Sequence, residues 1–100
     1  MKDLLKNINK VFDNRVRLGI MSALMVNESL DFKSLKGLLG VTDGNLASHI
    51  KSLQKAGYVV ILKQFIGNKP NTSYQLSVAG RNAFKEHINA LEALLKLKGD

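Results

Sequence analysis

The segment from Asp31 to Gly57 constrains the fold more than any other part of the chain. It holds two short helical patterns separated only by Gly40-Val41-Thr42, and the hydrophobic period changes directly after it. Asp31 is suited to cap a helix over Phe32–Leu39, whose apolar side is Phe32, Leu35, Leu38 and Leu39. Gly40 can close that helix, because glycine enters the left-handed region without a Cβ penalty. Thr42 then caps a second helix, residues 43–56, with Asp43 placed favourably in its first turn. This helix buries Leu46, Ile50 and Leu53 and stops at Gly57. A connector this short makes the pair a helix-turn-helix.

After Gly57 the pattern becomes that of strands. Tyr58 to Ile66 is rich in β-branched and aromatic residues, Gly67-Asn68-Lys69-Pro70 is a turn cluster, and Asn71 to Ser77 reads as a returning strand. A β-hairpin over residues 58–77 with a basic tip follows. Upstream, Leu4, Leu5, Ile8, Val11 and Phe12 have the spacing of one helical face, and Asn14 can cap a helix over Arg15–Val26 that turns Leu18, Met21, Leu24 and Met25 inward. Downstream, a final helix from Ser77 to about Leu97 carries Phe84, Ile88, Leu91, Leu94 and Leu95 along one side. The expected architecture is mainly α, with five helices and one small hairpin, in a single domain spanning residues 1–100.

The first and last helices carry more apolar surface than one such domain can bury. Each large side chain is worth about 1.5–3 kcal/mol when buried, so leaving these stripes in water would be a heavy loss. Pairing them across a two-fold axis removes the exposure. The expected dimer interface is Leu4, Leu5, Ile8, Phe12, Phe84, Ile88, Leu91, Leu94 and Leu95.

Charge points to the ligand. The chain carries a formal charge of +7, and between Phe32 and Gly80 six lysines face a single acid, Asp43. Such an excess attracts a polyanion. Advancing about 100° per residue from the buried line of helix 43–56, the opposite side holds Gly44, Ser48, Lys51, Ser52 and Lys55, with Asn45 at its margin. Small residues let a helix sit deep in the DNA major groove, Asn and Ser hydrogen-bond base edges, and lysines reach phosphates. Asn45 and Ser48 are the candidate base contacts, and Lys51 and Lys55 the candidate phosphate contacts. Thr42, Ser52, Lys63, Lys69, Lys33 and Arg17 complete the candidate DNA-binding set, with Lys36 beside Lys33 as a further phosphate candidate, although Arg17 suits an internal ion pair equally well.

Other functions lack material. Cysteine is absent, which removes disulfides and thiolate metal sites and fits a reducing cytoplasm. His49 reads as a partly buried packing residue, and His87 has no second ligand in sequence reach, so no metal or other cofactor is expected. No phosphate-binding glycine loop, nucleophile elbow or paired-carboxylate spacing is present, so an enzyme is not expected. No apolar run reaches the length of a membrane span, and the charged N-terminus is not that of a signal peptide.

As a set, these residues resemble the small winged-helix transcriptional regulators related to the MarR and ArsR families. The resemblance spans roughly Asn14 to Phe84. It rests on Arg17-Leu18-Gly19-Ile20-Met21, on Asp31-Phe32-Lys33-Ser34-Leu35, on the run from Thr42 to Val59, and on the hairpin from Gly67 to Leu76. It implies a dimer held by the first and last helices, helix 43–56 in the major groove, and the hairpin, or wing, beside it on double-stranded DNA. Two departures stand out. Asn68 and Asn71 are neutral where such wings often carry arginine, which counts against strong minor-groove insertion. Ser77-Val78-Ala79-Gly80 lacks the usual acid, which predicts a frayed start to the last helix. A winged helix used for protein–protein contact would show a hydrophobic or acidic outer face on helix 43–56, and this face is neither. An architectural DNA-binding module is the nearer alternative.

Overall fold

The computed structural model describes residues 5–96. Each helix begins where a side chain stands in for a missing backbone partner. Asn14 accepts from the N–H groups of Val16 and Arg17 at 2.9 and 3.0 Å and opens α1, Arg15–Val26. Asp31 accepts from Ser34 N–H at 2.7 Å and opens α2, Phe32–Leu39. Gly40 closes α2 in the left-handed conformation, with φ +62°. Thr42 opens α3, Asp43–Lys55, by accepting from Asn45 N–H at 3.2 Å. The last helix, α4, is Val78–Leu95.

The first expected helix does not run on to Phe12: among the described residues only Leu5 is helical, and Val11 and Phe12 sit in a separate 3-10 turn, Lys10–Phe12. Asn9 is the reason, because its polar groups bind elsewhere. Its side-chain oxygen accepts from Val11 N–H at 2.9 Å, its amide donates to Tyr58 Oη at 3.0 Å, and its backbone N–H donates to His87 Nδ1 at 3.0 Å. An asparagine that bonds backbone locally and tertiary partners at a distance competes with helix continuation. Leu4 lies outside the described residues.

Three antiparallel strands complete the fold in the order β1-β3-β2. β1 is only Leu30–Asp31, beside Tyr74 and Ser73. β2, Val59–Ile66, and β3, Lys69–Leu76, pair from Val59–Leu76 out to Ile66–Lys69. The turn is tighter than the sequence suggests, since only Gly67 and Asn68 lie outside the strands. Gly67 has φ +65° and Asn68 a negative φ, the order required by a two-residue type II′ hairpin. Antiparallel bonding alternates along the ladder, so the closing Ile66–Lys69 pair is bonded and Phe65–Pro70 is not. Pro70 therefore enters the strand without breaking a ladder bond.

The core gathers Ile20, Met21 and Leu24 from α1, Leu35 from α2, Leu46, Ile50 and Leu53 from α3, and Val59, Tyr74 and Leu76 from the sheet. Phe12 and Phe84 join it, only 2% and 4% exposed, with ring centroids 5.2 Å apart in edge-to-face contact. Both were expected at a dimer interface, and the structure puts them inside the chain's own core. The expected apolar line of the last helix is in fact two faces. Gly80, Phe84, His87 and Ala90 turn inward, while Ile88, Leu91 and Leu95 stay exposed.

The start of α4 is held rather than frayed. Ser77 Oγ accepts from Gly80 N–H at 2.9 Å and donates to Gly57 O at 2.6 Å, and Ser77 N–H donates to Tyr58 O at 3.0 Å. A hydroxyl cap thus does the work expected of the missing acid. Gly80 lets the helix lie against the root of β2: a Cβ there would stand 2.1 Å from Tyr58 O. No described helix is long and apolar enough to cross a membrane.

Candidate nucleic-acid interface

α3 divides cleanly between core and solvent. Leu46 and Leu53 are fully buried and Ile50 nearly so, and this line locks the helix onto α1 and the sheet. Gly44, Asn45, Ser48, Lys51, Ser52 and Lys55 are all exposed, as the spacing predicts. The outer face is therefore small and polar over its first half and basic over its second, at Lys51 and Lys55. Thr42 and Ser52 are partly committed: Thr42 Oγ1 takes the Asn45 N–H, and Ser52 Oγ donates to Ser48 O at 3.2 Å. Thr42 keeps its own hydroxyl proton for a ligand, and Ser52 keeps its acceptor lone pairs.

The exposed candidate lysines lie on three parts of the fold. Lys51 and Lys55 lie on α3, Lys33 in the first turn of α2, and Lys63 and Lys69 on the hairpin, all exposed. The strand register puts Lys63, opposite Thr72, and Lys69, opposite Ile66, on different faces of the hairpin. None of the five is paired with a carboxylate among the described residues. Lys36 differs, because its Nζ lies 2.7 Å from Asp43 at the first turn of α3. Both partners are exposed, so the pair contributes little stability, but it neutralises the one acid near this face.

Arg17 is placed differently from either expectation. Its Nε donates to Val11 O at 2.6 Å, and its terminal nitrogen lies 3.0 Å from His49 Nδ1. A guanidinium only donates, so Nδ1 is the acceptor and the ring hydrogen sits on Nε2. Arg17 pairs with no acid among the described residues. It joins the N-terminal segment, α1 and α3, and supports α3 from behind. No local signal marks this link, because a histidine three residues after core Leu46 and four before core Leu53 reads as packing.

His87 is 5% exposed and stacked among Phe84 and Phe12. Burial pushes its pKa below the ordinary value of 6.5, and Asp13 offsets this only in part. Its Nδ1 accepts the Asn9 N–H, so its role is to tie the N-terminal segment to α4. No group of three or more His, Cys, Asp or Glu side chains suited to a metal ion occurs among the described residues. Asp31 is held below the usual carboxylate range, chiefly by the Ser34 backbone N–H it accepts, as its capping role requires.

The comparisons with known proteins agree with this fold. The family model described as winged helix DNA-binding domain matches residues 16–95. The chain is 37% identical over 87 residues to the uncharacterised protein MJ0432 of Methanocaldococcus jannaschii, covering 87% of this chain and 95% of that one. Among solved structures, a transcriptional regulator homologue from Pyrococcus horikoshii OT3 superimposes with a TM-score of 0.82 at 32% identity, covering 96% of both chains. The apo form of MarR from E. coli shares the fold, with a TM-score of 0.67 at 16% identity over 99% of this chain and 80% of that one.

Proposed function

Because the chain belongs to the winged helix DNA-binding domain family, we propose that it acts as a homodimeric, sequence-specific transcriptional regulator on double-stranded DNA. The observation that carries this reading is the outer face of α3, small and polar in its first half and basic at Lys51 and Lys55, beside a hairpin whose only charges are Lys63 and Lys69. α3 enters the major groove, where the missing Cβ of Gly44 allows close approach. Asn45 and Ser48 bond base edges, and Lys51 and Lys55 reach phosphates on either side. Thr42 donates its hydroxyl proton to a phosphate at the positive end of α3. Lys63 and Lys69 follow the backbone beside the groove, and Lys33 adds a further phosphate contact. Arg17 belongs behind this surface, as the support of His49.

Support for the dimer comes from α4. Ile88, Leu91 and Leu95 follow i, i+3, i+7 spacing and are 41%, 37% and 85% exposed. Leu94, half-buried, borders them, and Leu5, 53% exposed, and half-buried Ile8 add apolar surface from the N-terminal segment. Pairing this surface with its copy buries it and fixes the spacing of two recognition helices. Phe12 and Phe84 take no part, being already buried. With DNA as ligand and no cysteine in the chain, the cytoplasm is the compartment this reading assigns.

The test is duplex binding across a salt series. If each protomer neutralises about four phosphates, log K falls against log salt with a slope near −7 for the dimer. In the same assay Asn45→Ala costs roughly 1–3 kcal/mol on the best site and little on random DNA, whereas Lys69→Ala weakens both alike. A flat slope, or no duplex binding at low salt, overturns the DNA reading in favour of a protein-binding module.

A further inference from the structure

The far end of the hairpin is apolar where a solvated turn has no use for it. Phe65 is 74% exposed and Ile66 63%, and both lie beyond the last half-buried residue of β2, Leu62. From Lys63 to Pro70 every residue is exposed, so β2 projects four residues, roughly 13 Å, clear of the body. The tip is narrow, a two-residue turn at Gly67-Asn68. Phe65 and Pro70 are directly opposed on one face in a non-bonded pair, the closer of the two cross-strand spacings. A rigid pyrrolidine thus stands beside the ring.

The surrounding charge selects the occupant. Residues 58–77 hold no acid, and the two lysines bracket the apolar tip, Lys63 on the Phe65 face and Lys69 opposite Ile66. An apolar tip between cations suits a ligand with anionic rims and apolar faces between them, which duplex DNA offers as phosphates flanking its base-stack faces. The tip also lacks arginine, so it cannot use the electrostatic insertion that narrow minor grooves attract. Resting on the DNA-binding reading above, we infer that Phe65, backed by Pro70, is a wedge that enters the minor groove and partly unstacks a base step. Lys63 and Lys69 hold the flanking phosphates. Apolar wedges of this kind kink the duplex toward the major groove. The kink falls most readily at pyrimidine–purine steps, so the wing adds sequence preference without a hydrogen bond to any base.

The chain contains no tryptophan, so Phe65→Trp introduces a single fluorophore at the tip. Its emission is followed during titration with a duplex carrying a TA step at the wing position, with anisotropy of a labelled duplex reporting binding. Energy transfer between dyes on the duplex ends reports bending. The expected result is strong quenching at saturation and a bend with the wild-type chain. Phe65→Ala binds about tenfold more weakly to that duplex and leaves it straighter. Lys69→Ala also weakens binding, but keeps the bend once saturated. The far-ultraviolet circular dichroism of all variants stays that of the wild type, because position 65 touches no core. Unchanged tryptophan emission in a duplex that anisotropy shows to be bound overturns the wedge and leaves the DNA reading intact. Emission that shifts with protein concentration in the absence of DNA overturns it too, by placing the tip between copies of the chain. Absence of duplex binding by the wild type at low salt overturns both readings together.

Discussion

Replacing Gly80 by alanine sets two forces against each other with opposite signs. Gly80 is the third residue of α4, where helix propensity alone would make alanine stabilising by up to about 0.8–1 kcal/mol. The position is not open, however. The added Cβ would lie 2.1 Å from Tyr58 O and 2.8 Å from both its carbonyl carbon and its Cα, whereas ordinary contact begins near 3.4 Å. All three atoms are backbone, so no rotamer change relieves the overlap, and the start of α4 must move by more than an ångström. That movement pulls on Ser77, which ties α4 to Tyr58 O and Gly57 O, and behind it on Phe84 and His87 against Phe12. Overpacking costs about 1–3 kcal/mol or more, and a weakened buried hydrogen bond about another 1. The net expectation is a loss of roughly 2–4 kcal/mol, which lowers Tm by at least about 8 °C in a domain of this size. Thermal and urea unfolding by circular dichroism at one fixed protein concentration measures it. Gly44→Ala is the control, since nothing lies within 4 Å of its Cβ. It should be neutral or stabilising by up to about 1 kcal/mol, yet bind DNA less well because the methyl stands on the groove-facing side. A Gly80→Ala chain as stable as the wild type would refute the close approach.

Three further outcomes are expected. Arg17→Met loses the bonds to Val11 O and His49 Nδ1 and should cost about 1.5–3 kcal/mol of stability while leaving the salt slope of DNA binding unchanged. Unchanged stability with a slope shallower by about 1 per protomer would instead put Arg17 on a phosphate. His87 has a folded pKa below its ordinary 6.5, so its contribution is complete above that pH. As pH falls further, the unfolded chain takes up a proton that folded His87 resists, and stability declines toward the folded pKa. His87→Gln should flatten this part of the profile, and parallel wild-type and variant profiles between about pH 7 and 5 would contradict the burial argument. Ile88→Glu with Leu91→Glu should sediment as a folded monomer with much weaker operator affinity. A wild-type chain that is already monomeric at micromolar concentration would remove the dimer.

The central elements were legible because each is bounded by a side chain with one strong local preference. Asn14, Asp31 and Thr42 all act as the caps their positions suggested, and Gly40 takes the left-handed turn, so α1 and α2 begin and end where the pattern put them. Leu46, Ile50 and Leu53 bury as their spacing required. The N-terminal stripe failed for a tertiary reason, since Asn9 bonds Tyr58 and His87, residues far away in sequence. The last helix was read as one apolar line because periodicity counts side chains without knowing their neighbours. His87 and Ala90, a titratable and a small residue, in fact share the inner face with Phe84. β1 is too short for any local signal and exists only by pairing with Tyr74 and Ser73. On the interface, the lysines and small residues of α3 were legible from helical spacing, whereas the Arg17–His49 link and the exposed tip at Phe65 required the packed chain.

The most direct test of the account is selection of bound duplexes from a random DNA pool by the full chain. It predicts a palindromic consensus whose half-sites lie about 10–10.5 base pairs apart, or a multiple of that, as two recognition helices on one face of the duplex require. Duplexes retained at low salt without any enriched sequence would contradict it and leave an architectural DNA-binding protein in place of a regulator.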